Sequence, residues 1–111
     1  MYQSEFRVLD AARQVADDVN ALIAREGRRL IDPLQLQGAV NSIAANIREA
    51  YGRRIGPERN MFLRIARSSS EDTDEHLRGN CSAGRIPERQ FYRQHNRLRI
   101  IVRMRNRLMS P

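Results

Sequence analysis

Asp72 and His76 stand four residues apart, the spacing at which a carboxylate and an imidazole on one helical face can share a metal ion. That chemistry stops short, because a di-metal bundle needs Glu-x-x-His from two helices and no pair of helices here supplies it. Ser68, Ser69 and Ser70 are nucleophiles by type, yet no His/Asp relay accompanies them, and no Gly-rich phosphate loop is present. Cys81 has no evident base and falls at helical spacing from Leu77, which reads as a small core residue. As the one cysteine of the chain it makes no internal disulfide. His95 lies near an apolar sector and reads as a partly buried, hydrogen-bonded histidine rather than a catalytic base. The expectation is a protein without catalytic residues, bound metal or cofactor.

Arginine carries the stronger signal. All 20 basic residues of this 111-residue chain are Arg and none is Lys. Residues 1–84 hold 12 Arg against 12 Asp plus Glu, whereas residues 85–111 hold eight Arg against Glu88 alone, so the formal charge of +7 belongs to the last quarter. On a helical wheel, Arg85, Arg89, Arg93, Arg99, Arg103 and Arg107 share one broad sector, opposite Phe91, Leu98, Val102 and Met109. Such a stripe is the electrostatic footprint of a polyanion, either nucleic acid or an acidic protein surface. The plainer alternative is a solvated face that confers solubility. Ile100 and Met104 fall within or beside the arginine sector, a hint that part of this segment meets another surface. No RNA-recognition motif is present and only Phe91 and Tyr92 could stack bases, so binding would be led by phosphates, with weak sequence specificity.

The elements that must carry these residues are read from punctuation. A chain of 111 residues, 41% hydrophobic, supports one core and one domain over 1–111. With no Trp and 5% aromatic residues, that core is aliphatic and alanine-rich, as in helix bundles. Val8/Leu9, Ala12, Val15/Ala16, Val19 and Leu22/Ile23 recur at helical period over 4–26, and Gly27 ends the run. Asp32-Pro33 supplies an N-cap and a first-turn proline for a helix over 33–54, with Leu36, Val40, Ile43, Ile47 and Ala50/Tyr51 inward. Gly56-Pro57 opens a third helix over 57–82, whose inner stripe is Phe62, Ile65/Ala66, Ser69, Thr73, His76/Leu77 and Asn80. Gly84 and Pro87 precede the arginine-faced helix over 87–109. Short connections make neighbours antiparallel, which predicts an all-α, up-down-up-down four-helix bundle. No apolar run approaches the ~20 residues of a membrane span, and the N-terminus lacks the basic and apolar regions of a signal peptide, so a cytoplasmic location is expected.

The second helix carries a polar stripe beside its apolar one: Gln35, Ser42, Asn46, Glu49 and Arg53. Folding the hairpin about residues 55–56 sets Ser42 level with Ser69 and Gln35 level with His76, a network that fixes helix register or lies across a subunit contact, with contact to a ligand or RNA as the alternative. The same residues carry a resemblance. Ser42-Ile43-Ala44-Ala45-Asn46-Ile47-Arg48-Glu49-Ala50-Tyr51-Gly52-Arg53, followed by Phe62-Leu63-Arg64-Ile65-Ala66-Arg67-Ser68-Ser69 and an acidic stretch to Leu77, resembles the signature of the 23S rRNA intervening-sequence protein family. That signature reads S-I-x-x-N-I-A-E-G-x-G-R and then F-L-x-I-A-x-G-S-x-x-E. The chain departs from it at Ala50 and Ser68, where glycine is usual, at Asp72, where glutamate is usual, and in having no tryptophan in the first helix.

The resemblance implies a four-helix-bundle protomer that assembles into a homo-oligomeric ring, commonly a pentamer. It also implies kinship with the basic accessory proteins of diversity-generating retroelements, which bind nucleic acid and a reverse transcriptase. A ring would multiply the arginine face around its axis and raise avidity for a long polyanion. Within the subunit, folding the last hairpin about residue 85 sets Glu71, Asp72 and Glu75 level with Arg99, Arg97 and His95, a partial neutralisation by exposed pairs. Arg85, Arg89, Arg93, Arg103 and Arg107 have no such acidic block beside them and are the expected contacts to RNA or DNA phosphates. The competing expectation is a structural ring whose arginines face a reverse transcriptase, another acidic protein or neighbouring subunits.

Overall fold

Three connections carrying Gly and Pro delimit four helices. The computed structural model describes residues 2–104, with side chains from Glu5 onward. Helix α1 spans Tyr2–Glu26 and runs into a single 3-10 turn at Gly27–Arg29; α2 spans Pro33–Tyr51, α3 Pro57–Ser82 and α4 Glu88–Arg103. The bounds of α3 match expectation at both ends, while α2 stops at Tyr51, where the last turn tightens: Gly52 N–H is shared between the carbonyls of Arg48 and Glu49 and Arg53 N–H bonds Ala50 O. Residues 105–109 of the expected last helix, with Arg107 and Met109, lie outside the described residues.

Side-by-side packing joins α1 to α2, α2 to α3, α3 to α4 and α4 back to α1, which closes a four-helix bundle. The 26 residues of α3 rise ~39 Å at 1.5 Å each, close to the 42 Å long dimension of the molecule, so α3 runs nearly its full length. Among the described residues there is no strand, and no helix is long and apolar enough to cross a membrane.

The core is aliphatic: Val15, Val19, Leu36, Val40, Ile43, Ile47, Leu63, Leu77, Leu98 and Ile101 are all buried. On α3 the observed face differs from the expected stripe. Ile65 is exposed and Phe62 only partly covered, whereas Leu63 and Ser70 are buried beside Ala66, Ser69, Thr73, Leu77 and Asn80. The phase was ambiguous because so many α3 core positions are small or polar. Those hydroxyls enter the core by bonding their own helix: Ser70 Oγ donates to Ala66 O at 2.8 Å and Thr73 Oγ1 to Ser69 O at 2.7 Å. At the opposite end, Arg59 is buried against Glu5 at 2.9 Å with its guanidinium over the Tyr51 ring, and the Tyr51 hydroxyl donates to Glu5 O. Burial pushes the Tyr51 phenol well above its ordinary range, with the Glu5 charge adding to it.

Two loops meet at one residue. The side chain of Asn80, buried at 1% exposure, accepts from Ile31 N–H at 2.7 Å and donates to Ile31 O at 3.3 Å, while its own carbonyl accepts from Arg85 N–H at 2.8 Å. The last of these belongs to a helix C-cap in which Gly84 N–H also bonds Cys81 O at 3.0 Å, and Gly84 takes the left-handed φ of 73° that this turn requires. Asp32 departs from expectation: it sits at φ 48° and its side chain makes no cap hydrogen bond. The start of α2 is instead held by the backbone, Leu36 N–H to Asp32 O, and by Asn80 from α3.

Candidate nucleic-acid interface

Helix α4 is amphipathic because it must cover the seam between α1 and α3. Phe91, Gln94, Leu98, Ile101 and Met104 are buried, a wider arc than the apolar residues alone predict. Two corrections follow. Val102 is only partly buried and Ile101 takes its place in the core, and Met104, at 3% exposure, belongs to the subunit's own core with Ile100 packed beside it. Met104 is thus spent within the subunit, while Ile100 is only partly covered.

The opposite face is arginine. Arg89, Arg93, Arg99 and Arg103 lie along α4, whereas Arg85 precedes the helix on the loop after α3, outside the helical sector expected for it; all five are exposed, and among the described residues none lies within 4.0 Å of a carboxylate. The expected neutralisation by α3 is redirected. Arg97 pairs with Asp18 of α1 at 2.5 Å, His95 Nδ1 lies 2.7 Å from Asp74 Oδ1, and Glu71 reaches back to Arg67 on its own helix. Arg97 leans toward α1 because its position on the helix follows Gln94, whose amide also donates to Asp18, at 2.8 Å. Asp18 therefore titrates below the ordinary carboxylate range: partial burial pushes it up, but the Gln94 and Arg97 hydrogen bonds and the Arg97 and Arg93 charges outweigh this. Arg99 consequently joins the unpaired set, facing a groove it shares with Glu71, Asp74 and Arg103.

Charge summed over residues 1–84 hid further arginines that the fold brings to the same end. Arg25 lines a groove between α1 and α4 together with Arg93, Gln90 and Gln94. Arg28 and Arg29 are exposed on the turn that Asn80 ties to the loop carrying Arg85, and Arg29 pairs only with Glu26, at 3.2 Å. Contact order along the chain gave no signal for this; the pairing of the two loops through a buried asparagine is a tertiary fact.

The polar stripe assembles as its spacing predicts. Ser69 Oγ and Ser42 Oγ lie 2.8 Å apart, and Asn46 Nδ2 donates to Ser42 Oγ at 3.0 Å. Arg53 bridges Glu49 and Glu58 and stacks over Phe62 at 4.4 Å, so it clasps the end of α2 to the start of α3. Gln35 and His76 line one cleft with Asp72 and Glu75. Among the described residues no three His, Cys, Asp or Glu side chains gather as metal ligands. Ser69 and Ser70 are engaged in the bonds above, Ser68 is exposed, and Cys81 is half-buried against the core.

Bundle, polar clasp and basic fourth helix define the class: a small all-α protein with one arginine-rich face. A family model described as 23S rRNA-intervening sequence protein matches residues 4–107, and the chain belongs to that family. No curated protein and no solved structure matches it significantly.

Proposed function

We propose that this is a non-enzymatic, self-associating cytoplasmic protein that binds RNA or DNA phosphates through Arg85, Arg89, Arg93, Arg99 and Arg103, joined by Arg107, which the sequence adds to the set. The observation that carries the reading is the exposure of four arginines along α4, and of Arg85 on the loop before it, without carboxylate partners among the described residues. A guanidinium left free of intramolecular pairing remains available to release counterions from a phosphate backbone. Self-association is supported by Met61 and Ile65, exposed one turn apart on α3. The pentameric ring implied by the resemblance would repeat the face. Charge reversal at Arg89 and Arg103 tests the reading. Loss of nucleic-acid binding with the oligomer intact supports it, whereas dissociation of the oligomer means that the arginines face neighbouring subunits. Retained oligomer without nucleic-acid affinity in the parent protein directs the search to acidic protein partners, a reverse transcriptase among them.

A further inference from the structure

A phosphate-only surface leaves Tyr92 without a purpose. The residue is 51% exposed and lies within the arginine sector, one turn beyond Arg89 and two turns before Arg99. An isolated surface tyrosine on a helix would sample several rotamers, but this one is braced. It meets Phe91 edge-on at 4.9 Å and His95 edge-on at 6.1 Å, with interplanar angles of 64° and 89°. Both supports are themselves held from α3. Phe91 is buried under the Arg78 guanidinium at 4.8 Å, His95 is fixed by Asp74, and the two rings stack on each other at 5.4 Å. The result is an aromatic surface, ordered before any ligand arrives and flanked by unpaired cations.

We infer that the α4 face takes unpaired, single-stranded nucleic acid, with Tyr92 as a stacking platform for one base and Arg89, Arg93 and Arg99 along the phosphates. This rests on the nucleic-acid reading above and narrows it. The bases of a duplex are already stacked on one another and closed to a side-chain ring, so an exposed aromatic inside a basic face adds affinity only for a strand whose bases are free. Stacking is indifferent to base identity, which agrees with the lack of any base-reading motif. Pre-ordering by Phe91 and His95 reduces the entropy lost when the ring is immobilised by a base.

The test measures anisotropy of a labelled oligothymidylate, an abasic strand of the same length and a duplex with the same number of phosphates per strand, against the parent protein, Tyr92→Ala and Tyr92→Phe. Tyr92→Ala is expected to weaken oligothymidylate binding by about 5- to 150-fold, the equivalent of one base stack. Tyr92→Phe keeps the platform and should stay within about twofold of the parent, and the abasic strand and the duplex should respond to neither change. Equal losses on all three probes, or an unchanged affinity of Tyr92→Ala for oligothymidylate, would overturn the single-strand inference while leaving the phosphate surface standing. Absence of binding to every probe at low salt would overturn both.

Discussion

Replacing Asn80 by alanine tests how the two arginine-bearing loops are held. The Asn80 amide makes two bonds to the backbone of Ile31, at 2.7 and 3.3 Å, and a third to His76 O within its own helix. The bond to His76 counts for little, because that carbonyl keeps its helical partner. Each of the other two contributes a net ~0.5–1.5 kcal/mol, so their joint loss costs about 1–3 kcal/mol. Asn80 is 1% exposed, and the space vacated by its amide adds roughly 1 kcal/mol more. The expected destabilisation is therefore about 2–4 kcal/mol, or a fall in Tm of about 8–16 °C for a domain of this size. Thermal unfolding followed by circular dichroism gives the first number, and hydrogen exchange at the Ile31 amide locates the change. Ser68→Ala, at an exposed α3 position, serves as the control and should stay within ~0.5 kcal/mol. A loss below about 0.5 kcal/mol for Asn80→Ala, with Ile31 exchanging at its original rate, would refute the claim that this side chain joins α3 to the α1–α2 turn.

Further perturbations reach other parts of the account. Gly84→Ala should destabilise by about 1 kcal/mol, since φ of 73° costs an L-residue roughly that much although nothing crowds the added methyl; urea unfolding checks it. Asp18→Asn should remove a pH dependence: because the folded carboxyl titrates below its unfolded counterpart, its stabilisation is present above about pH 4 and disappears as pH falls through the folded value. Melting temperatures of parent and variant should thus differ at neutral pH and converge in acid.

Much of this fold was legible because its helices are delimited by Gly and Pro and their apolar residues keep a period of three and four. Gly56-Pro57 and Gly84 placed both ends of α3, and the level pairing of Ser42 with Ser69 followed from counting outward from one turn. The phase of α3 was less legible, because Ser70 and Thr73 enter the core by satisfying their hydroxyls on their own helix, which no hydropathy pattern announces. Wheel geometry also misassigned Met104, since the buried arc of α4 widens where the helix covers two neighbours rather than one. The exposed arginines of α4 were visible in the charge distribution. Arg25, Arg28 and Arg29 were not, because local carboxylates balance them in any sum along the chain and only the folded loops bring them to the end occupied by Arg85.

The most direct measurement of the central claim is a salt titration of binding between the protein and a labelled single-stranded RNA, with Arg89→Glu/Arg103→Glu alongside and the oligomeric state monitored by light scattering. Five arginine contacts on a single strand predict a slope of log affinity against log salt near −3.5 per protomer, about a 100-fold loss between 50 and 200 mM salt. The double variant should bind more weakly, lower the slope by about 1.4 and keep its oligomeric state. Binding that is insensitive to salt, or unchanged in the variant, would contradict a phosphate-binding role for the α4 arginines.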